Sequence, residues 1–330
     1  MNGVKVIIWN PTTNMRIVFD NIIYSLQRFG GVSVVWDELL RRVRADESME
    51  RIELDYIHSM PYRLLERYRV PNWRPKEATL FHSSYFRFCP HPLVQNITTV
   101  HDMTYHFYRH GLPKAIHLWE EERALRHSAA VICVSENTKA DLLRLYPWVN
   151  EENVRVIYNG VSDVFYPIPT VQKQGYLLYV GSGKADYKRY DVACMAAKQT
   201  GLPLVQVSSP YITREQLNHY YNEALCLLYP SDYEGFGLPI LEAQKAGCPV
   251  IAQCTSSIPE VIGPEGLLVN HDTPERMAKE IASIVLQLLS RPTRAIIENG
   301  IRNAERFSWD ETYRQTKQVY ENIYYYNHLQ

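Results

Sequence analysis

The chain has 330 residues, 46% of them hydrophobic and 22% charged, and its 35 Lys and Arg residues nearly balance its 36 Asp and Glu residues. This length accommodates two domains, and the balanced charge argues against a broad nucleic-acid-binding surface. The six cysteines form no CxxC pair, and no apolar run reaches the roughly 18 residues of a membrane span. We therefore expect free thiols, a cytoplasmic protein and no nucleic-acid partner.

The first predicted core strand covers residues 16–19, directly after Met15. Residues 4–9 could form an earlier strand, but residues 1–14 are equally explained as an appendage or as the result of a start codon assigned too early. No long apolar segment with a cleavage site precedes the strand, so we expect no signal peptide. A chain that starts at Met15 is expected to be sufficient for folding.

A glycine pair, Gly30 and Gly31, separates this strand from an apolar-periodic helix predicted over residues 33–43. A strand that leads through glycines into a helix is typical of nucleotide-binding folds. Because the full GxGxxG sequence is missing, the residues alone favour a phosphate-contacting loop and a simple turn at a helix start equally.

Residues 61–76 contain five cations against one acid, with aromatic and leucine side chains between them. The cations are Arg63, Arg67, Arg69, Arg74 and Lys76. We favour a helix with solvated cations and an inward apolar face. The alternative is a peripheral patch that contacts an anionic membrane surface or a lipid-diphosphate acceptor.

Strands are predicted at residues 78–82 and 96–100, and the second of them ends at His101 and Asp102. Polar residues just past the carboxyl end of a strand lie where open α/β sheets bind ligands. A lone histidine is more often structural, and Asp102 is expected to orient the histidine or cap a turn rather than act as a base. The next predicted helix, residues 114–128, is expected to expose its three consecutive acids, Glu120 to Glu122.

A buried strand is predicted at residues 129–134, followed by a helix for which Ser135 or Asn137 is the expected N-cap. A further strand at residues 154–158 precedes a proline-containing linker at residues 165–174. The second half then opens with a strand at residues 176–181.

The segment that organises the second half reads PSDYEGFGLPILEAQKAG over residues 230–247, directly after a predicted buried strand at residues 224–229. Pro239 suits the first turn of a helix, where its missing N–H has no cost. Gly247 suits the end of that helix. The pattern therefore predicts a strand, a glycine-containing loop and a helix.

Gly235 and Gly237 allow the backbone of this loop to approach a ligand closely, and the helix N-terminus offers free N–H groups and a partial positive charge to an anion. The carboxylates of Glu234 and Glu242 frame this anion site. Acids in that position suit neutral hydroxyl partners, such as those of a sugar or a ribose.

The string E-G-F-G-L-P-x-x-E, from Glu234 to Glu242, resembles the E-x7-E motif of glycosyltransferase family four, the retaining nucleotide-sugar transferases of GT-B fold. E-x7-E alone is a weak signal, whereas the full string between a buried strand and a helix is specific. The strings VSE, VRVIYNGV and FYP also match the end of the first domain in family members. The resemblance covers nearly the whole chain from Met15.

The resemblance implies roles for individual residues. Glu234 would hold the donor-sugar hydroxyls, Lys188 the diphosphate, and His101 the sugar from the opposite domain; these three are the expected catalytic residues. The expected donor-binding residues are Glu242, Gly235, Phe236, Gly237, Leu238, Arg189, Lys184, Gly181 and Ser182. The expected acceptor and phosphate loop consists of Gly30, Gly31 and Asp102.

Two departures from the family pattern stand out. Family members often carry an arginine soon after the strand that ends here at Gly181, but this chain has Ser182, so Lys184 or Arg189 would have to compensate. They also usually have another helix and strand where this chain passes from residue 207 almost directly to a helix at residue 214. We expect this half to be shorter by about one α/β unit.

The implied fold is α/β, with two Rossmann-like domains of GT-B type facing a cleft. Residues 1–168 would form the N-terminal acceptor domain, residues 169–308 the C-terminal nucleotide-sugar donor domain, and residues 309–330 a helix that crosses back onto the first domain.

The implied reaction is transfer of a hexose from a GDP- or UDP-sugar to an acceptor hydroxyl, with retention at the anomeric carbon. A glycan or lipid-linked acceptor in cell-surface polysaccharide or glycolipid synthesis is expected. The nucleotide-sugar is a co-substrate and no cofactor is expected. Because the chain has no D-x-D sequence, no metal ion is expected either. The alternatives are a GT-B sugar-nucleotide epimerase and a catalytically inactive nucleotide-sugar-binding protein.

Overall fold

Short apolar runs alternate with amphipathic helices along this chain, which is the pattern of parallel sheets covered by helices. A computed structural model describes residues 15–27, 29–58, 65–208 and 212–328. The predicted strand at residues 4–9, with the rest of residues 1–14, lies outside the described residues. The described strands form two sheets, and every recorded strand pair is parallel.

The first sheet has six strands in the order β2-β1-β3-β4-β5-β6. They are β1 (Met15–Asp20), β2 (Met49–Leu54), β3 (Thr79–Ser83), β4 (Val94–Val100), β5 (Ser128–Cys133) and β6 (Val154–Val156). The second sheet has five strands in the order β11-β10-β9-β7-β8. They are β7 (Leu177–Val180), β8 (Leu204–Val207), β9 (Cys226–Tyr229), β10 (Val250–Gln253) and β11 (Leu267–Val269).

Twelve α-helices occur in the described residues. The helices of the first half are α1 (Ile23–Leu26), α2 (Gly31–Ala45), α3 (Thr104–Tyr108), α4 (Gly111–Arg126) and α5 (Glu136–Leu145). Those that follow are α6 (Tyr190–Thr200), α7 (Arg214–Glu223), α8 (Leu238–Lys245), α9 (Ile258–Ile262), α10 (Pro274–Ser290), α11 (Arg294–Ala304) and α12 (Trp309–His328).

Both sheets reverse their strand order at one point. The reversal lies between β1 and β3 in the first sheet and between β7 and β9 in the second. In open α/β sheets, ligands bind outside the carboxyl ends of the strands at such a reversal. The segments after β1, β7 and β9, which contain most of the predicted site residues, are therefore placed where a ligand is expected.

The last helix, α12, belongs by sequence to the end of the chain but packs into the core of the first sheet. Val319, Tyr320 and Tyr324 are buried there against residues of β1, β3 and α2. The Tyr320 hydroxyl lies 2.6 Å from Nδ1 of the buried His82. The predicted fold class, including the helix that crosses back, is confirmed.

The prediction that α4 exposes its three consecutive acids is wrong for two of them. Glu120 and Glu121 are buried, because each has a partner that offsets the cost of burying a charge. Glu120 forms a 2.6 Å ion pair with Arg67, and Glu121 accepts hydrogen bonds from the Tyr146 hydroxyl and the His106 ring at 2.8 and 2.7 Å. All three partners lie outside α4, so helical periodicity could not reveal them.

Two local predictions about the second half and the helix caps agree with the structure. The described residues between β8 and α7 contain no further strand, as expected for a shortened α/β unit. Ser135 is the N-cap of α5, because its hydroxyl accepts a hydrogen bond from the Thr138 N–H at 3.0 Å.

Candidate functional site

A cavity of about 510 Å³ is lined by segments that follow the carboxyl ends of strands in both sheets. All the predicted site residues line it except Lys184 and Arg189. Lys184 is exposed. The Arg189 guanidinium contacts Asp232 at 3.2 Å and Asp191 at 3.3 Å. Neither cation therefore lines the cavity in place of the arginine that family members often have at Ser182.

Glu234 and Lys188 form the principal ion pair of the cavity. The Lys188 ammonium lies 2.6 Å from each carboxylate oxygen of Glu234, which is 8% exposed. Burial acts to lower the pKa of Lys188, but the Glu234 carboxylate outweighs it and raises that pKa. Lys188 is therefore a cation at neutral pH, and Glu234 is held in one orientation.

The backbone of the loop before α8 is fixed by two serines. Ser256 Oγ accepts a hydrogen bond from the Glu234 N–H at 2.9 Å, and Ser257 Oγ lies within donating distance of the Glu234 and Phe236 carbonyls, at 3.0 and 2.9 Å. Gly237 has φ +108°, a conformation that strongly favours glycine. In the described part of the chain, the N–H groups of Phe236 and Gly237 have no acceptor, so they are available to an anion.

Gly235 serves a close approach between the two domains. A Cβ atom on Gly235 would lie 1.8 Å from the His101 carbonyl oxygen, which is a severe clash. The Gly235 carbonyl in turn accepts hydrogen bonds from Ser135 Oγ at 2.7 Å and Thr138 Oγ1 at 3.1 Å. We expected this glycine to make room for a ligand, whereas the structure uses it to seat the loop against the first domain.

His101 lines the cavity next to this contact. Burial lowers the pKa of its imidazole to about 4, and the nearby Asp102 carboxylate opposes that shift only in part. The ring is therefore neutral at pH 7 and suited to hydrogen bonding rather than to charge pairing. Asp102 Oδ1 accepts a hydrogen bond from the Thr104 N–H at 2.8 Å, which confirms its predicted part in capping a turn.

Glu242 lies further along α8, at the other end of the cavity from the Lys188 pair. Burial raises the pKa of its carboxyl to about 6, although Arg214 and the Tyr221 hydroxyl, which donates a hydrogen bond at 3.1 Å, act to lower it. The Glu242 carboxyl is thus largely ionised at pH 7 and becomes protonated as the pH falls below about 6.

The glycine pair before α2 and the loop after β7 complete the walls. A Cβ atom on Gly31 would meet nothing within 4 Å, whereas one on Gly30 would meet the Gln27 side chain. Gly31 therefore leaves open space at the cavity wall, while Gly30 serves local packing. Gly181 and Ser182 form the wall opposite, on the second domain.

Sequence reasoning missed several lining residues, including Tyr187, Arg214 and Ser231. The position of Tyr187, directly before Lys188, was a usable signal. The sequence around Arg214 gave no such signal, because Arg214 forms its 3.2 Å ion pair with Glu38 of α2, in the opposite half of the chain.

The described part of the basic segment, residues 65–76, is not the helix that we predicted. It contains only a 3₁₀ turn, Glu66–Tyr68. Arg67 turns inward to Glu120, and Trp73 packs against a buried cluster of the first domain. Arg74 and Lys76 remain exposed. Of the predicted inward apolar face, Trp73 packs inward, whereas Leu65 is 59% exposed.

Other features of the described residues do not compete with this cavity. A second cavity, of about 570 Å³, lies between α11 and β10 and contains none of the predicted site residues. No group of three His, Cys, Asp or Glu side chains within the described ranges could hold a metal ion. No helix in those ranges is long and apolar enough to cross a membrane.

Two family models match overlapping parts of the chain. Residues 29–164 match the model described as Glycosyltransferase Family 4, and residues 144–287 match the model described as Glycosyl transferases group 1. The O-antigen chain mannosyltransferase B of Escherichia coli is 27% identical over 307 residues, which cover 79% of each chain. The D-inositol 3-phosphate glycosyltransferase of Segniliparus rotundus is 40% identical over 182 residues, 54% of this chain and 38% of that protein.

Solved structures share the fold at low sequence identity. Sucrose-phosphate synthase from Thermosynechococcus elongatus superposes with a TM-score of 0.68 at 19% identity, covering 94% of this chain and 99% of the other. WaaG, a glycosyltransferase involved in lipopolysaccharide biosynthesis, gives a TM-score of 0.64 at 14% identity over 92% and 99% of the two chains. HepE from Anabaena, solved with UDP, gives 0.61 at 13% identity over 93% and 100%.

Proposed function

Because the chain belongs to glycosyltransferase family four, the group 1 glycosyltransferases, we propose that it transfers a hexose from a GDP- or UDP-sugar to an acceptor hydroxyl with retention at the anomeric carbon. The observation that carries this proposal is the arrangement around the start of α8. The Lys188–Glu234 ion pair, the N–H groups of Phe236 and Gly237, which have no acceptor in the described residues, and the Glu242 carboxylate belong to residues that line one interdomain cavity.

The chemistry requires a nucleoside diphosphate to leave with its negative charge stabilised. Lys188 supplies a cation, and the N–H groups of Phe236 and Gly237 supply oriented donors at a helix N-terminus. Such donors stabilise charge most effectively when they are already in place before the bond breaks. Glu242 would accept hydrogen bonds from the ribose, and Glu234 and the neutral His101 would contact the donor sugar.

The ion pair of Glu234 bears on the stereochemistry. Both oxygens of the carboxylate lie 2.6 Å from Lys188. A carboxylate held in this way is a poor nucleophile, which favours a front-face reaction in which a leaving phosphate oxygen takes the acceptor proton. In this mechanism the nucleotide-sugar is the only co-substrate, and neither a cofactor nor a metal ion is needed.

The relatives bear on the acceptor. The E. coli protein is named as an O-antigen chain mannosyltransferase, and a Salmonella typhimurium relative, 26% identical over 58% of this chain, carries a similar name. These names support a glycan or lipid-linked acceptor in cell-surface polysaccharide synthesis. A cytoplasmic location stays a prediction. Contact of residues 61–76 with an anionic membrane surface stays a prediction. Within the described part of this segment, Arg69, Arg74 and Lys76 are exposed.

The test is a thermal-shift screen with UDP-, GDP- and ADP-sugars, followed by transfer assays with and without EDTA. A donor at about 100 times its Kd should stabilise the fold by roughly 2.7 kcal/mol. We expect one nucleotide class to raise Tm and EDTA to leave transfer unchanged. Absence of any shift would contradict a nucleotide-sugar donor. Binding without turnover would favour the inactive binding protein, and epimerised donor would favour the epimerase.

A further inference from the structure

The loop that carries Glu234 is held by the first domain at the Gly235 carbonyl and at the Tyr233 hydroxyl. The hydroxyl accepts a hydrogen bond from the Met103 N–H at 3.3 Å and donates one to Asp141 at 2.9 Å. The Gly235 carbonyl lies 2.7 Å from Ser135 Oγ and 3.1 Å from Thr138 Oγ1, and both side chains belong to fully buried residues. Gly235 is thus bonded to the first domain in addition to touching the His101 carbonyl. The two hydroxyls donate hydrogen bonds to this buried carbonyl oxygen. Without a donor, the buried carbonyl would destabilise the folded protein.

This bond sets the direction of the next N–H group. A trans peptide unit is planar, and its C=O and N–H bonds point to opposite sides. Because the Gly235 carbonyl points into the first domain, the Phe236 N–H points away from it. That N–H has no acceptor in the described part of the chain, and Phe236 lines the cavity.

The end of α5 that presents these hydroxyls is itself anchored to the second domain. The Glu260 carboxylate, on α9, accepts hydrogen bonds from the Glu136 and Asn137 N–H groups at 3.0 and 3.1 Å. It also accepts one from the Tyr158 hydroxyl at 2.8 Å. Glu260 thus binds the free N–H groups at the start of α5, and this start becomes a fixed point between the domains.

We propose that Ser135 and Thr138 are positioning residues for the transfer reaction. Through the Gly235 carbonyl they aim the Phe236 N–H at the leaving diphosphate, so the anion site of the second domain is complete only when the first domain is docked on it. This inference rests on the proposed function. The inference gives domain closure a chemical consequence, because closure orients a hydrogen-bond donor, the Phe236 N–H, towards the reacting end of the substrate.

The experiment compares Thr138→Val with Thr79→Val. Thr138→Val removes one hydroxyl and preserves shape, and it avoids Ser135, whose loss would also remove the N-cap of α5. Thr79 is a matched control: it is buried, and its hydroxyl donates to a backbone carbonyl, that of Glu77, at 2.9 Å outside the cavity. Thr138→Ser is the conservative variant that keeps the hydroxyl.

We expect Thr138→Val to lower kcat by about 10-fold, less than the ~10²–10³-fold typical for loss of an entire oxyanion donor. The Kd of the free nucleoside diphosphate should stay nearly unchanged, because the contacts of Lys188 and Glu242 remain. Thr138→Ser should restore kcat, and Thr79→Val should leave it unaffected. Thermal unfolding of each variant separates turnover from folding.

An active wild-type enzyme with equal kcat in Thr138→Val and Thr79→Val would overturn this inference alone. A fall in Tm for Thr138→Val without a fall in kcat would show that the hydroxyl only stabilises the fold, and it would also overturn this inference. Absence of transfer or donor hydrolysis by the wild-type protein would overturn the proposed function, and this inference with it.

Discussion

At the scale of single residues, Glu234 and Glu242 start and end one motif but have different partners. Glu234 is paired with Lys188, whereas Glu242, on α8, accepts a hydrogen bond from the hydroxyl of Tyr221 on α7. A contact that changes in the transition state affects kcat, and one that is the same in ground and transition states affects KM.

Glu234→Ala is therefore expected to lower kcat by roughly 10²-fold. It should leave binding of the free nucleoside diphosphate normal or tighter, because Lys188 loses its internal counter-ion. Glu242→Ala should raise the donor KM and weaken nucleotide binding. Calorimetric titration of both variants checks this without knowledge of the acceptor, and the opposite pattern would show that the two roles are exchanged.

Lys188→Ala is expected to weaken both nucleotide binding and turnover. Loss of a charge-assisted hydrogen bond costs about 1.5–3 kcal/mol, and no arginine lies at Ser182 to share the diphosphate charge. The matched control is Lys184→Ala, on the same loop but exposed and outside the cavity. Equal affinities for the two variants would remove Lys188 from the binding site.

The raised pKa of Glu242 predicts a pH dependence of donor binding. Burial raises this pKa to about 6, so the carboxylate that we propose as the acceptor of ribose hydrogen bonds is depleted as the pH falls below that value. The donor KM should rise as the pH falls from about 7 to about 5, and Glu242→Gln should flatten this profile. A wild-type profile that does not change across this range would contradict the role in ribose binding.

The raised pKa of Glu242 also makes the stability of the folded protein depend on pH. The folded protein holds the proton of Glu242 to a higher pH than the unfolded chain does, so this group favours folding at low pH. Its contribution is lost as the pH rises through about 6.

At the scale of secondary-structure elements, the start of α5 is an interface in its own right. Its first N–H groups bind the carboxylate of Glu260, and its N-cap hydroxyl binds the loop before α8. Free N–H groups and the helix dipole both favour a carboxylate at this position. The interdomain contact thus uses groups that every helix leaves unpaired.

Glu260→Ala should lower the free energy of unfolding by about 1 kcal/mol, within the ~0.5–2 kcal/mol range for loss of a helix N-cap. Glu265→Ala is the control, because Glu265 is an exposed acid near Glu260 in the chain and should change stability by no more than about 0.5 kcal/mol. Denaturant unfolding measures both. If the free energy of unfolding falls no more for Glu260→Ala than for Glu265→Ala, the start of α5 does not depend on the Glu260 carboxylate.

At the scale of the whole molecule, α12 makes the first domain depend on the far end of the chain. Tyr320 is fully buried in the core of the first sheet and contacts His82. Tyr320→Ala should cost about 3–5 kcal/mol, as for other large buried aromatic residues.

The control for this prediction lies on the same helix. Tyr325 is 38% exposed, and Tyr325→Ala should cost no more than about 0.5 kcal/mol. Equal, small losses for the two variants would mean that α12 is not part of the first domain's core.

The sequence alone determined the fold class and the position of the motif. Apolar runs of strand length, separated by helical periodicity, predicted the individual strands and helices. The family resemblance carried by the motif implied the two Rossmann-like domains. The string from Glu234 to Glu242 identified the loop and helix of the site, because glycine, proline and carboxylate each have a local conformational or chemical meaning. Ser135 as an N-cap followed from the same kind of local rule.

Only the tertiary structure decided which side chains are paired and which way the loop faces. The burial of Glu120, the ion pair between Glu38 and Arg214, and the seating of Gly235 against His101 all join residues that are distant in sequence. Local sequence patterns indicate which face of a helix or strand is apolar. They do not indicate which residues from elsewhere in the chain pack against that face. A buried charge or carbonyl is stable only with that partner, so the chemistry of the cleft is set by the docking of two domains.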